Sequence, residues 1–293
     1  MRHLIRILGI ILLAAMICNA QDKHSLTLLP KWNIGDAKII TESTSWYSNI
    51  KGDEKTEQMG TISKYSIEIS DSTRDGYIIN WKKIYRKTDN ELNELQKRIA
   101  PNNTYTISTD STGHFLDLVN MQELIKSNQI LIHKYIQEAH NQNLYDDKII
   151  FNNLKEIELL AMEPFLHNLC HDLTHPYLKK YGTRSRLNDT IFSQGLEHFP
   201  NISEGIPVKY ATFSKEIDQG KVYIKIYSIF DYGKIKELKE KETPLKMSND
   251  FEMNDYTEIV FDKSTGWINS ILLYSQIKDT GLVWSNTTKY DIK

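Results

Sequence analysis

Tyr65-Ser-Ile-Glu-Ile-Ser70, then Asp71-Ser-Thr-Arg-Asp-Gly76, then Tyr77-Ile-Ile-Asn-Trp81: these consecutive residues decide the fold class. Tyr65, Ile67 and Ile69 alternate with Ser66, Glu68 and Ser70, the period of a half-buried strand. A turn-rich stretch follows, and then a second run of β-branched and aromatic residues. Gly76 supplies the positive φ of a tight reversal, so the whole stretch predicts a β-hairpin.

The same period of two runs from about residue 38 to 118. Thr104-Tyr-Thr-Ile-Ser-Thr109 and His114-Phe-Leu-Asp-Leu118 make another pair, joined by Asp110-Ser-Thr-Gly113. One side of each strand is polar, which predicts antiparallel sheet with one solvated face. From Asn120 to about Tyr181 the period becomes helical. Asn120 and Glu123 are spaced as a capping box, and Met121, Leu124, Ile125, Ile132, Tyr135, Ile136 and Ala139 keep helical spacing. A second helix is expected from about Asp147, with Ile150, Leu154, Ile157 and Ala161 on one stripe. A third begins at Glu163-Pro164, with Phe165, Leu166, Leu169, Cys170 and Leu173 as its apolar face. It is expected to stop near Thr174, because His175 precedes Pro176.

After Gly182 the strand period returns in Pro207-Val-Lys-Tyr-Ala-Thr-Phe213 and Lys221-Val-Tyr-Ile-Lys-Ile-Tyr227. The charged run Lys234 to Glu242 reads as a solvated helix or loop. Three closing strands are expected at about 256–261, 267–274 and 282–288. Tyr105-Thr-Ile-Ser-Thr-Asp110 before Ser-Thr-Gly113 is echoed by Thr257-Glu-Ile-Val-Phe-Asp262 before Lys-Ser-Thr-Gly266. The echo fits a duplication, and it also fits shared hairpin chemistry. The expected class is α+β: antiparallel sheets in two β-rich halves around a central helical segment. The division is 1–20 signal peptide, 21–118 N-terminal β-rich half, 119–182 helical segment and 183–293 C-terminal β-rich half, the two halves sharing one core.

The first twenty residues carry an address. Met1-Arg-His-Leu-Ile-Arg6 is a short positive segment and Ile7 to Ile17 is apolar. Cys18-Asn-Ala20 places small residues before a cut at Gln21, the pattern of a secretory signal peptide. The apolar run is too short for a bilayer span of roughly 20 residues, and no later segment approaches one. A buried core helix would leave Arg2 and Arg6 unexplained. Cys18 as a lipidated first residue is the second reading, disfavoured by the bulky Ile17 before it. Cleavage leaves Cys170 alone of the 2 cysteines, so no internal disulfide is expected. The expected location is the periplasm or the cell exterior.

The chain has 293 residues, 40% hydrophobic and 25% charged, which fits a soluble globular protein and excludes a disordered polyampholyte. A formal charge of −2 without a long basic run excludes an obvious nucleic-acid binder. With its export signal, paired Asp…Gly hairpins and tail of amphipathic strands, the chain resembles the uncharacterised exported β-rich proteins of Gram-negative bacteria. More remotely it is similar to periplasmic lipoprotein carriers, in which an open antiparallel half-barrel holds helices on its concave face. The order strands, helices, strands departs from the simplest form of that fold, and neither resemblance brings a functional residue with it.

His167-Asn-Leu-Cys-His-Asp-Leu-Thr-His175 is the main candidate for chemistry. His167, His171 and His175, four apart, share one helix face, the spacing by which imidazoles grip a divalent metal. The plainer reading is a polar face that uses histidine, and a helix ending before His175 leaves only His167 and His171 in register. Cys170 falls on the apolar side, as a core residue. Ser48-Asn-Ile-Lys51 and Ser275-Gln-Ile-Lys278 match Ser-x-x-Lys without its companion motifs. No nucleophile elbow, phosphate loop or dinucleotide fingerprint is present.

Aromatics on strands, among them Tyr77, Trp81, Tyr105, Tyr223, Tyr227, Trp267 and Trp284, suit a core or a ligand-lining surface. The leading expectation is a non-catalytic binding or carrier protein of the periplasm or cell envelope, holding an apolar or amphipathic ligand between sheet and helices. The alternatives are a metal-dependent hydrolase using His167 and His171, and an envelope structural or adhesion protein acting through strand edges. N-terminal sequencing of protein from its natural source is expected to read from Gln21; a retained Met1 overturns the export signal.

Overall fold

A computed structural model describes residues 25–50, 56–88, 104–141, 161–197, 205–218, 220–242, 251–279 and 282–293. The signal segment and the helix expected from Asp147 lie outside the described residues, apart from Ala161, which is buried.

The fold is α+β and dominated by one eleven-stranded antiparallel sheet. Its first meander is β2 (Ala37–Ile50), β3 (Thr56–Thr73), β4 (Gly76–Thr88), β5 (Thr104–Asp110) and β6 (Phe115–Leu118). Helices α1 (Met121–Asn141) and α2 (Glu163–Leu178) follow. The second meander is β8 (Thr190–Glu197), β9 (Ile206–Asp218), β10 (Lys221–Phe230), β11 (Glu252–Asp262), β12 (Trp267–Asp279) and β13 (Leu282–Ile292), with helix α3 (Tyr232–Glu242) between β10 and β11. The strand order is β6-β5-β4-β3-β2-β13-β12-β11-β10-β9-β8. The last strand therefore joins the second meander to the first, pairing from Ile292 opposite Ile40 to Leu282 opposite Ile50. A separate ribbon pairs β1 (Ser25–Thr27) with β7 (Arg184–Arg186).

The strand order bears on the echo between halves. Strands β2–β6 and β8–β12 run across the sheet in the same direction, with β13 inserted between them. That is the order a tandem duplication of a five-stranded meander produces, and the matching hairpins fall in matching places. In the β5–β6 turn, Asp110 Oδ1 accepts from the Thr112 backbone N–H (2.8 Å), the Thr112 hydroxyl (2.6 Å) and the His114 backbone N–H (3.0 Å). In the β11–β12 turn, Asp262 Oδ1 accepts from the Ser264 N–H (2.8 Å), the Ser264 hydroxyl (2.5 Å) and the Thr265 N–H (3.3 Å). Burial pushes both carboxyls up, but these donors outweigh it and hold both below the usual aspartate range.

Both turns grip the same piece of chain. A Cβ on Gly113 would lie 3.3 Å from Pro30 Cγ, and one on Gly266 would lie 2.2 Å from the Lys31 nitrogen. The clasped segment carries Trp32 into an aromatic cluster, 5.0 Å from each of Tyr77, Tyr181 and Trp267 between ring centroids. Around it the main core draws on Ile40, Ile67, Ile79, Trp81, Ile107, Ile224, Ile259 and Ile271 from the sheet and on Leu166, Cys170, Tyr177 and Leu178 from α2. All these strand positions lie on one side of the sheet, called here the inner face.

Three local expectations are corrected. The Asn120 side chain does not cap α1: its Oδ1 accepts from Thr106 N–H (2.9 Å) and its Nδ2 donates to Thr104 O (2.8 Å), tying the helix start to β5 instead. Helix α2 passes Pro176 and ends at Leu178. Proline removes one N–H, whose acceptor would be the carbonyl of the exposed Asp172, where water can substitute. The burial of Tyr177 and Leu178 then holds the final turn. Helix α3 is not solvated all round, because Ile235 and Leu238 are buried against Ile206, Val208, Phe230 and Met253 in a second core.

The clasp predicts a contrast between two glycines of positive φ. Gly220 (φ 82°) has open space around its missing Cβ, whereas Gly266 (φ 69°) has backbone there. In urea unfolding, Gly220→Ala should cost about 1 kcal/mol from backbone strain alone. Gly266→Ala should cost about 3 kcal/mol, because overpacking adds to that strain. Equal costs would mean that the clasp yields.

Candidate functional site

The three histidines do share one side of α2. They flank its buried stripe of Leu166, Cys170 and Thr174, and all are half-buried. Phe115 of β6 sits edge-on to His167 (5.7 Å) and His171 (5.9 Å), and the His171 and His175 rings lie 4.4 Å apart at 32°. The rings thus pack on one another and on an aromatic edge. Among the described residues no group of three His, Cys, Asp or Glu is placed to hold a metal ion. Burial, followed by Lys179, His171 and Lys180, pulls His175 down to about 4, so it is neutral at ordinary pH. The Cys170 thiol is pushed up to about 12 by burial and by Asp117, which leaves it unreactive.

A different cluster emerges when strand register is followed across the inner face. Directly opposed residues share a face, so the inner face is a stack of rows. The row Tyr290, Ile271, Ile259, Ile224 belongs to the main core. The next is mixed: Thr288, Leu273, Thr257, Ile226, Thr212. The third is polar on every strand from β13 to β8: Asn286, Ser275, Asp255, Ser228, Tyr210, Ser193. Beyond it, Met253, Phe230 and Val208 are apolar again and covered by α3. A polar band therefore crosses the sheet between two helix-covered cores.

Three charged groups occupy the band and its border. Asp255 is half-buried, and its Oδ1 is buried with no hydrogen-bond partner. Burial raises its pKa above the usual aspartate range, against the opposing pull of Ser275 and the Gln276 backbone. Lys180, in the turn after α2, donates to Thr257 Oγ1 at 3.5 Å. Burial and the neighbouring Lys179 pull its ammonium down to about 8, while Glu197 opposes them. Glu197, at the end of β8, accepts from the Tyr210 hydroxyl at 2.5 Å, and its charge also contributes to the rise at Asp255. On the neighbouring strands of the same face, Trp46 pairs with Asn286, and Trp284 stands diagonally from it opposite Ser48.

The strand aromatics divide between the faces. Trp81, Tyr105 and Trp267 are buried in the core. Tyr227, Tyr256 and Tyr274 form a file on the outer face, and the Lys225 ammonium lies 4.1 Å above the Tyr256 ring. The polar band escaped sequence reading because each of its residues is one interruption in one strand. The available signal was the loss of apolar alternation at Ser228, Asp255 and Ser275, and only the register aligns those positions.

No protein-family model and no curated protein sequence matches the chain. Among solved structures, it is similar to one described as lipid–protein interactions in lipovitellin, at 9% identity and a TM-score of 0.38, covering 90% of this chain and 25% of that one. The chain thus spans about a quarter of that protein's length. It is also similar to an outer membrane channel from Pseudomonas putida F1, at 5% identity and a TM-score of 0.16, covering 90% of this chain and 98% of that one. Neither comparison assigns a residue. Among the described residues no helix is long and apolar enough to cross a membrane.

Asp255 gives a prediction with a definite sign. A carboxyl whose folded pKa is raised is destabilising when ionised, so its cost is absent below the unfolded aspartate pKa and fully present above the folded one. Asp255→Asn should therefore raise the melting temperature at pH 7 by roughly 2 °C. The gain should vanish at acid pH below the ordinary aspartate pKa; a gain unchanged with pH would show that Asp255 is not desolvated.

Proposed function

We propose that this is an exported, non-catalytic binding or carrier protein that holds an amphipathic ligand against the inner face of its sheet. The observation that carries the reading is the polar band with its partnerless Asp255 Oδ1, placed between two apolar, helix-covered regions. A protein interior rarely leaves a buried acceptor unpaired, because that costs about 1–3 kcal/mol. A bound polar group would recover this energy. The half-buried Ile226, Leu273 and Ile277 and the indoles of Trp46 and Trp284 give an apolar moiety a surface beside the band. Polar groups of fixed position on an apolar wall are what an amphipathic molecule needs.

Export rests on the signal pattern of residues 1–20, with the periplasm or cell exterior as destination and a lipid anchor at Cys18 as the alternative form. On α2 the histidine rings pack on Phe115 and on each other.

Purified protein should bind a fluorescent fatty-acyl probe and release it to unlabelled long-chain amphiphiles. Trp284→Ala should weaken the probe by about tenfold, the loss of one partly buried aromatic contact. Protein that binds no acyl probe, and carries no amphiphile by native mass spectrometry after isolation from its host, overturns the reading.

A further inference from the structure

The charges of the band narrow the ligand. We propose that the band is a headgroup site for an amphiphile bearing a phosphate and a primary amine, the phosphate received by Lys180 and the amine by Asp255 and Glu197. The inference rests on the carrier reading and specifies its ligand.

Lys180 and Asp255 do not neutralise each other. Among the described residues neither forms an ion pair, and the one hydrogen bond of the Lys180 ammonium is the long contact to Thr257. An ammonium has three donors, so at least two are open to a ligand. Thr257 and Asp255 are two residues apart on one face of β11, about 7 Å along the strand. A cation held at Thr257 and a bare acceptor at Asp255 therefore stand a short molecular span apart. A phosphate and an ammonium joined by a two-carbon bridge can cover that span with a hydrogen bond at each end.

The chemistry discriminates among headgroups. A purely anionic head would satisfy Lys180 but bring its charge against Asp255 and Glu197. A purely cationic head would reverse the conflict. A quaternary amine carries the right charge but has no N–H for Asp255 Oδ1, the buried atom that lacks a donor. A primary amine supplies both. Glu197, whose Oε1 accepts from Tyr210, adds negative charge on the side of the amine, as its influence on Asp255 indicates. Ser228 and Ser275, on either side of Asp255 in the row, add hydroxyls that can both donate and accept.

The test is displacement of a fluorescent fatty-acyl probe from the full mature chain by short-chain phosphatidylethanolamine, phosphatidylcholine, phosphatidylglycerol and a fatty alcohol. Phosphatidylethanolamine should displace it at about tenfold lower concentration than phosphatidylcholine, the worth of one charge-assisted hydrogen bond. Asp255→Asn, which keeps an acceptor oxygen but loses the charge, should shrink that preference several-fold, and Lys180→Met should weaken every phosphate-bearing head while leaving the fatty alcohol unchanged. Equal displacement by the ethanolamine and choline lipids, or a preference undiminished in Asp255→Asn, overturns the headgroup assignment and leaves the carrier reading standing. No displacement by any of the four overturns both. Should Asp255→Asn fail to fold by circular dichroism, the comparison of the two lipids on the unaltered protein decides alone.

Discussion

The pairing of β13 with β2 is the constraint on which the rest of the structure depends. Two antiparallel meanders, each with free strand edges, are joined by an eleven-pair ladder between the first long strand and the last. Backbone hydrogen bonds between Ile39 and Lys293 extend it to the chain end. Because of this ladder the inner face is continuous, and one helix can be buried against both halves. Tyr181, just after α2, packs on Trp32 and accepts a hydrogen bond from the Ile268 backbone N–H on β12 (3.1 Å), while Tyr177 packs on Trp81 of β4. Separated meanders would each present half of that apolar surface to water, at a cost that scales with its area.

The clasp around Pro30 is the local counterpart of this joint. Repeated turns, one from each meander, close on the same segment and bring Trp32 over the seam. The aspartates organise these turns through short hydrogen bonds to backbone and hydroxyl groups, and the glycines give the space for close approach. The same hairpin chemistry thus serves twice in one interface.

Along the inner face, packing is not uniform. Helices α1 and α2 cover one apolar region and α3 the other, and between them Asp255 interrupts the apolar alternation of β11, with Glu197 and Lys180 close by. Sites that break the consistency of a fold at an energetic cost are where function is expected. Here the cost is an acceptor without a donor and a lysine whose ammonium is held below its usual range. On the histidine face burial likewise holds His175 below its usual range, but its rings pack on one another and on Phe115.

Most of the long strands and the two helices around Met121 and Glu163 were legible in the sequence, whereas the strand Thr190–Glu197 was not. Alternation at Tyr65, Ile67 and Ile69, glycine at the reversals and helical spacing from Met121 are local properties, and local sterics and burial are enough to read them. The helical spacing of His167, His171 and His175 was equally legible, but spacing sets a face and not what meets it; Phe115 comes from a strand far away in sequence. The tertiary structure alone decided that Asn120 serves β5 and not its own helix, that α2 outlasts Pro176, and that Ser228, Asp255 and Ser275 fall in one row. The reason in each case is the same: a hydrogen-bond partner or a buried neighbour supplied by another strand outweighs the local preference, and no window of consecutive residues contains that partner.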